Sequence, residues 1–314
     1  VRIMEKILIT GGAGYIGSIL TERLLNAGYH VTVLDKLIYG EAHLQHLCYN
    51  RNFDFIVGDT RDETALTPLI KATDVIIPLA AIVGAPACDN DPETAVTTNY
   101  EAIQLVDQLR EESQLIVYPT TNSGYGTKSG DVYCTENTPL EPISLYGKTK
   151  VDAETHLLNS PNTITLRLAT VFGMSPRMRL DLLVNHFVYT AVTDGYIILY
   201  EKDFKRNYVH IRDVADCFLF CIENREKMVS RPFNVGLDDA NLSKGELAQA
   251  IKKHVPEFHI HYSEIGSDPD RRNYIVSNAR LKETGFEAKV TLDEGIEELL
   301  KGYQMLGRHP YKNV

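Results

Sequence analysis

Tyr146 and Lys150 stand four residues apart in the run Tyr146-Gly147-Lys148-Thr149-Lys150. On a helix that spacing puts both side chains on one face, one turn apart. A tyrosine accepts a proton only as phenolate, and its ordinary pKa of about 10 keeps it neutral at pH 7. A lysine ammonium beside it favours the phenolate. The pair is a candidate general base with its activating cation, suited to taking the proton of an alcohol while hydride leaves the same carbon. A hydroxyl to hold that alcohol is available upstream in Thr120-Thr121-Asn122-Ser123-Gly124-Tyr125-Gly126, where Thr120 and Thr121 compete for the role.

A hydride needs an acceptor, and the N-terminal segment supplies a place for one. Gly11, Gly14 and Gly17 fall at G-x-x-G-x-x-G spacing between an apolar run and a helical pattern that opens at Tyr15 and Ile16. Glycines permit a tight turn and close backbone approach to a pyrophosphate, and the helix N-terminus offers free N–H groups and the positive end of its dipole. Asp35 follows 18 residues after Gly17, at the end of the next apolar run. A carboxylate there accepts hydrogen bonds from the adenosine ribose and repels a 2′-phosphate, so the expected cofactor is NAD rather than NADP. Asp59 and Thr60, after the third apolar run, are candidates for the adenine end, with Asp59 accepting from the adenine amino group. Leu79, Ala80 and Ala81 end the fourth run with mostly small side chains that let backbone approach the cofactor, and Asn99 on a following helix is a further cofactor candidate.

These residues must be positioned by regular elements, and the pattern predicts which. Short runs rich in Val, Ile and Leu at 6–10, 30–35, 53–57, 75–79, 115–118 and 164–168 read as strands. Helical patterns cover 15–28, 92–112 and 144–158. Buried strands alternating with helices indicate a doubly wound α/β fold, a Rossmann-type parallel sheet covered on both faces. Beyond residue 173 the pattern weakens, with helices expected near 181–193, 213–226, 243–255 and 291–305 and short strands near 197–200, 208–211, 232–235 and 258–262. The expected organisation is an NAD-binding domain over 1–173 and, over 174–314, a smaller substrate-binding lobe with segments free to return to the sheet.

The 314 residues carry 42 acidic against 32 basic side chains, and a net charge of −10 speaks against a nucleic-acid partner. Residues 177–212 reverse the sign locally, with six Lys/Arg against four Asp/Glu, a patch sized for one diphosphate. No run of about 18 apolar residues exists, so no membrane span is expected. A strand starting at Lys6 leaves no room for a signal peptide. Cys48, Cys88, Cys134, Cys217 and Cys221 lack metal-site spacing and read as buried, reduced thiols of a cytoplasmic protein, with no metal expected.

Taken together, the glycine motif, Asp35, the Thr-x-x-x-Tyr-Gly segment at 121–126 and Tyr146-x-x-x-Lys150 resemble the extended short-chain dehydrogenase/reductases, the family of the nucleotide-sugar epimerases and dehydratases. The resemblance covers essentially the whole chain. It implies that the catalytic hydroxyl is Thr121, four residues before the tyrosine of the Tyr-Gly pair, and that Lys150 also bonds the nicotinamide ribose. The 4,6-dehydratases of the family carry an Asp-Glu pair where this chain has Asn122 and Ser123. An amide and a hydroxyl cannot supply that acid and base, so oxidation at C4 is expected, with or without re-reduction, and Asn122 and Ser123 become substrate contacts. The resemblance further implies that Arg206 and Arg271 hold the nucleotide diphosphate of the substrate, with Arg177, Arg179 and Asn185 as additional contacts. Thr170 departs from the asparagine common in the 4-epimerases. Residues 77–86, 121–126 and 168–185 resemble those family members that oxidise GDP-linked manno-configured heptoses in capsule biosynthesis. A homodimer through the helices near 92–112 and 144–159 is implied as well. His210 is expected to pack at a strand end, and Arg212 with Asp213 to form an ion pair.

Overall fold

The computed structural model describes residues 4–40, 43–128, 133–266 and 272–306. The first strands in chain order are β1 (Lys6–Thr10), β2 (His30–Asp35), β3 (Phe53–Val57), β4 (Val75–Pro78) and β5 (Leu115–Thr121). There follow β6 (Tyr133–Cys134), β7 (Thr163–Leu168), β8 (Thr170–Phe172), β9 (Tyr196–Leu199) and β10 (Lys205–His210). The last are β11 (Arg231–Val235), β12 (Asn241–Ser243), β13 (His259–Tyr262) and β14 (Ile275–Val276). Seven of them form one parallel sheet in the order β11-β7-β5-β4-β1-β2-β3. This is the Rossmann-type α/β fold predicted from the pattern.

Alternate strand residues feed opposite faces, as the two-residue period of a strand requires. Ile7, Ile9, Val31, Val33, Val75 and Ile77 enter one core, whereas Leu8, Leu34, Ile76, Ile116 and Tyr118 enter the other. On the first face the Tyr15–Asn26 helix packs against the Ile211–Glu223 helix. The second part of the chain therefore returns to the first twice, through that helix on one face and through β11 within the sheet, which pairs with β7 from Arg231↔Ile164 to Val235↔Leu168. The smaller sheets β12-β10-β8, β13-β9 and β14-β6 build the region above the C-terminal ends of the large sheet.

Several elements differ from the sequence pattern. The single helix expected over 92–112 is a succession of Pro92–Val96, a π-helical turn at Thr97–Glu101, and Ala102–Leu109. Asp91 caps its start by accepting from the Thr94 N–H. The wider π turn buries Thr98 and Asn99, a device found often beside functional sites. Strand β5 runs three residues past its expected end and so carries Thr121 to the sheet edge. Arg212 and Asp213 do not pair with each other: Arg212 meets Glu298 at 2.6 Å, and Asp213 accepts the N–H groups of Lys289 and Val290. Consecutive residues on one helix point about 100° apart, so each finds its own neighbour. His210 is buried, bonded to Glu298 and to the Arg212 N–H. Four cysteines are buried as expected, but Cys48 is exposed, because its turn lies outside the sheet.

Candidate active site

The loop after β1 turns so tightly that only glycine fits. Gly11 has φ +74°, and a Cβ there would lie 2.5 Å from the Ala80 nitrogen; a Cβ on Gly17 would lie 2.5 Å from the Gly12 Cα. The Tyr15–Asn26 helix starts from Gly14 with no side chain capping it and no acidic residue in its first turn. Its N-terminal N–H groups therefore face a cleft of about 1100 Å³ that runs along the C-terminal ends of the strands. Gly11, Gly14, Tyr15, Ile16 and Gly17 line this cleft. Asp35 lines it too, held by the N–H groups of Ala13 (2.9 Å) and Leu37 (2.8 Å). A glycine cradle with an uncapped helix end and a fixed carboxylate fits the pyrophosphate and ribose of NAD.

Asp59, Thr60, Leu79, Ala80 and Ala81 complete this half. The Asp59 carboxylate is engaged by Arg61 (2.7 Å) and Lys36 (3.0 Å), and the Arg61 guanidinium holds it well below the usual carboxylate range. Asn99 does not line the cleft, contrary to expectation. Its amide accepts from the Ile82 N–H at 2.8 Å and donates to the Ile82 carbonyl at 2.9 Å, so it braces the loop after β4.

At the other half, β5 and the Leu145–Leu158 helix bring Thr121, Tyr146 and Lys150 to one wall. Ser144 caps that helix by accepting from the Gly147 N–H at 3.1 Å, which fixes the turn carrying Tyr146. The Lys150 amine lies 4.0 Å from the centre of the Tyr118 ring, and the residue is only 4% exposed. Burial pushes it down to about 7, against the pull of Glu154. Burial also pushes the Tyr146 phenol up to about 12, and the cations that oppose this are Arg179 and then Arg272. Burial thus weighs against charge on Lys150, while the Tyr118 ring face and Glu154 favour its ammonium.

Thr121 Oγ1 accepts the Ser123 N–H at 3.1 Å and lies 2.9 Å from Ser123 Oγ, which also accepts from Arg272. Asn122, expected as a substrate contact, is buried outside the cleft lining, and among the described residues neither amide atom has a hydrogen-bond partner. Asn185 is likewise behind the wall: it accepts from the Gly173 N–H and donates to Tyr15 Oη and the Arg179 carbonyl. Tyr15 Oη in turn donates to the Gly173 carbonyl at 2.7 Å, tying the cradle to the arginine-bearing loop.

Arg177, Arg179 and Arg206 all line the cleft. Arg177 lies 4.6 Å from the Tyr39 ring centre and donates to the Met178 carbonyl at 3.0 Å. Arg179 pairs with Asp181, and Arg206 lies 5.6 Å from the Tyr274 ring centre. Arg271 lies outside the described residues. Its neighbour Arg272, together with Tyr39, Arg61 and Tyr118, takes part in the site without having been singled out as a site residue; for Arg272 the doublet with Arg271 was the available signal.

A dinucleotide cradle sharing one cleft with a tyrosine, a lysine and a cluster of arginines defines an α/β enzyme that works with a nicotinamide dinucleotide. The chain belongs to the NAD dependent epimerase/dehydratase family, whose sequence profile matches residues 7–236. It is 31% identical over 319 residues to the UDP-glucose 4-epimerase of Mycolicibacterium smegmatis, covering 95% of this chain and 98% of that one. It is 26% identical over 323 residues to UDP-glucuronic acid decarboxylase 1 of Danio rerio, covering 98% and 75%. The crystal structure of UDP-glucuronic acid 4-epimerase from Bacillus cereus in complex with UDP-glucuronic acid and NAD matches at a TM-score of 0.83 and 25% identity, over 96% of this chain and 100% of that one. Among the described residues no helix is long and apolar enough to cross a membrane.

Proposed function

We propose that the protein oxidises the C4 hydroxyl of a nucleotide diphosphate sugar, a GDP-linked manno-configured heptose, to the 4-keto sugar for surface polysaccharide synthesis. The observation that carries this reading is the meeting of Thr121, Tyr146 and Lys150 in the same cleft as the glycine cradle, without an acidic pair at positions 122 and 123. NAD, when bound, accepts the hydride from C4. Tyr146 as phenolate takes the proton of the C4 hydroxyl, and Thr121 holds that hydroxyl against it. Lys150 bonds the nicotinamide ribose. Arg179 and Arg206 flank the diphosphate, a group that guanidinium binds in bidentate fashion. The likeness of 77–86, 121–126 and 168–185 to GDP-heptose 4-dehydrogenases supports the guanine nucleotide and the sugar. A cytoplasmic homodimer through the Pro92–Leu109 and Leu145–Leu158 segments is part of the same proposal.

A 4-epimerase is the second reading, and the 31% identity to a UDP-glucose 4-epimerase over nearly the whole of both chains favours it. The same residues serve it if the keto sugar turns over and is reduced from its other face. Incubation of the purified protein with GDP-D-glycero-D-manno-heptose, and separately with UDP-glucose, distinguishes the two. Absorbance rising at 340 nm with a 4-keto sugar in the NMR spectrum is the expected result; a C4-inverted sugar with no net NAD reduction would overturn the dehydrogenase reading.

The phenolate is supported by Arg179, and this has a measurable consequence. Removing a nearby cation raises the pKa of an acid that ionises to an anion. Arg179→Gln is therefore expected to move the rising limb of the pH–rate profile to higher pH. An unshifted limb would remove Arg179 from the support of Tyr146.

A further inference from the structure

Thr121 and Ser123 close the end of β5, and Arg272 reaches them from 149 residues further along the chain. All three side chains line the cleft beside Tyr146. In the Thr121–Ser123 pair either hydroxyl can be the donor, and the guanidinium favours one of the two choices. A guanidinium only donates, so the bond from Arg272 Nη1 uses a lone pair of Ser123 Oγ. The same positive charge turns the Ser123 hydroxyl hydrogen away from itself and makes it a stronger donor. Thr121 Oγ1, 2.9 Å away, is there to receive it. That oxygen already accepts the Ser123 N–H at 3.1 Å. With both lone pairs of Thr121 engaged, its own hydrogen is left to point into the cleft.

We propose that Arg272 and Ser123 are positioning residues that act through Thr121: the chain Arg272→Ser123→Thr121 runs one way and makes Thr121 a hydrogen-bond donor to the oxygen of the carbon being oxidised. The inference rests on the proposed roles of Thr121 and Tyr146. An alcohol oxygen that accepts from Thr121 keeps its own hydrogen for Tyr146. As hydride leaves the carbon, the oxygen becomes a carbonyl, and the charge that builds on it meets a hydroxyl already polarised by a guanidinium. A carboxylate at position 123 is acceptor-only when ionised. It would end the chain in an ion pair with Arg272, whereas serine both accepts and donates, and so passes the polarity on.

Kinetics of the NAD-loaded full chain test this, with GDP-D-glycero-D-manno-heptose and UDP-glucose as probes and kcat taken from the pH-independent limit. Ser123→Ala is expected to lower kcat about tenfold, by loss of a preorganised donor, with KM changed less than about twofold. Ser123→Thr restores the hydroxyl and is expected to recover kcat to within about threefold of wild type. Arg272→Met lowers kcat as well, and the double variant loses no more kcat than Ser123→Ala alone, since both break one chain. Additive losses, or a Ser123→Ala effect confined to KM, would overturn the proposal. Wild-type protein that turns over neither probe would count against the proposed function instead. The chain itself is then read by neutron diffraction from NAD-loaded crystals exchanged into D2O. The Ser123 deuterium is expected on the line to Thr121 Oγ1 and the Thr121 deuterium in the cleft; a Thr121 deuterium directed at Ser123 Oγ overturns the inference whatever the substrate.

Discussion

Tyr146→Phe is expected to slow reduction of NAD by the sugar about 10³-fold, the scale of a lost general base, with NAD still bound and the fold intact. The substitution removes one oxygen and keeps the ring. The helix turn that carries it is fixed by Ser144 rather than by the phenol, and the glycine cradle is built from other elements. The pH dependence gives a second signature. Burial holds the phenol at about 12 in the protein alone, so the wild-type rate rises with pH as phenolate forms, and positive charge on the bound nicotinamide moves that rise toward neutrality. The residual rate of Tyr146→Phe is expected to lack this limb. Stopped-flow absorbance at 340 nm with bound NAD quantified separately checks both, and a variant keeping a tenth of the wild-type rate would remove Tyr146 from the role of base.

Lys150→Met is expected to abolish turnover and at the same time stabilise the protein. Lys150 drops from 10.5 to about 7 because its ammonium is buried over Tyr118. A folded-state pKa below the unfolded one means that the unfolded chain binds the extra proton between those values. Wild-type stability therefore rises as pH goes from 7 to 10.5, and below pH 7 the unfavourable burial of the charge is felt in full. Methionine has no charge to bury and a similar stem. At 1.36 kcal/mol per pKa unit the net shift, which already contains the attraction to Glu154, corresponds to a gain at pH 6 of up to about 5 kcal/mol, on the order of 10 °C in melting temperature for a chain of this size. The gain is expected to shrink toward pH 10. Calorimetry at pH 6 and pH 9.5 measures the difference; equal gains at both pH values, or a loss at pH 6, would contradict the buried-charge account. The loss of activity follows because the amine that would bond the nicotinamide ribose is gone.

The large sheet was legible because its strands are buried on both faces and so are written as unbroken apolar runs, Ile7-Leu8-Ile9 and Val75-Ile76-Ile77 among them. Tyr146 and Lys150 lie one turn apart on the Leu145–Leu158 helix, as their spacing predicts, whereas residue type left Thr120 and Thr121 open, and β5 reaches Thr121 only by running three residues past its expected end. The amides were not legible. Asn99, Asn122 and Asn185 have the residue type and spacing of ligand contacts, but two of them are spent on backbone groups of neighbouring loops and the third is sealed away from the cleft. Side-chain chemistry is the same whether an amide faces a ligand or a carbonyl, and only tertiary packing decides. The two-residue strands β6 and β14 have no local signal either, since they exist only by pairing with each other across about 140 residues of chain. The burial of Lys150 escaped for a related reason: spacing names its neighbour on the helix and says nothing of its desolvation.

The position of β11 has a consequence for synthesis of the chain. Strand β7 is buried throughout, and among the described residues its outer edge pairs with β11, whose residues begin at Arg231. At roughly 5–20 residues per second, the stretch from Leu168 to Arg231 takes a ribosome several seconds to deliver. For that interval the nascent sheet ends in an open, apolar edge of the kind that pairs with other chains. A fragment ending at residue 173 would keep that edge open, and it is expected to aggregate in light scattering under conditions where the full chain does not.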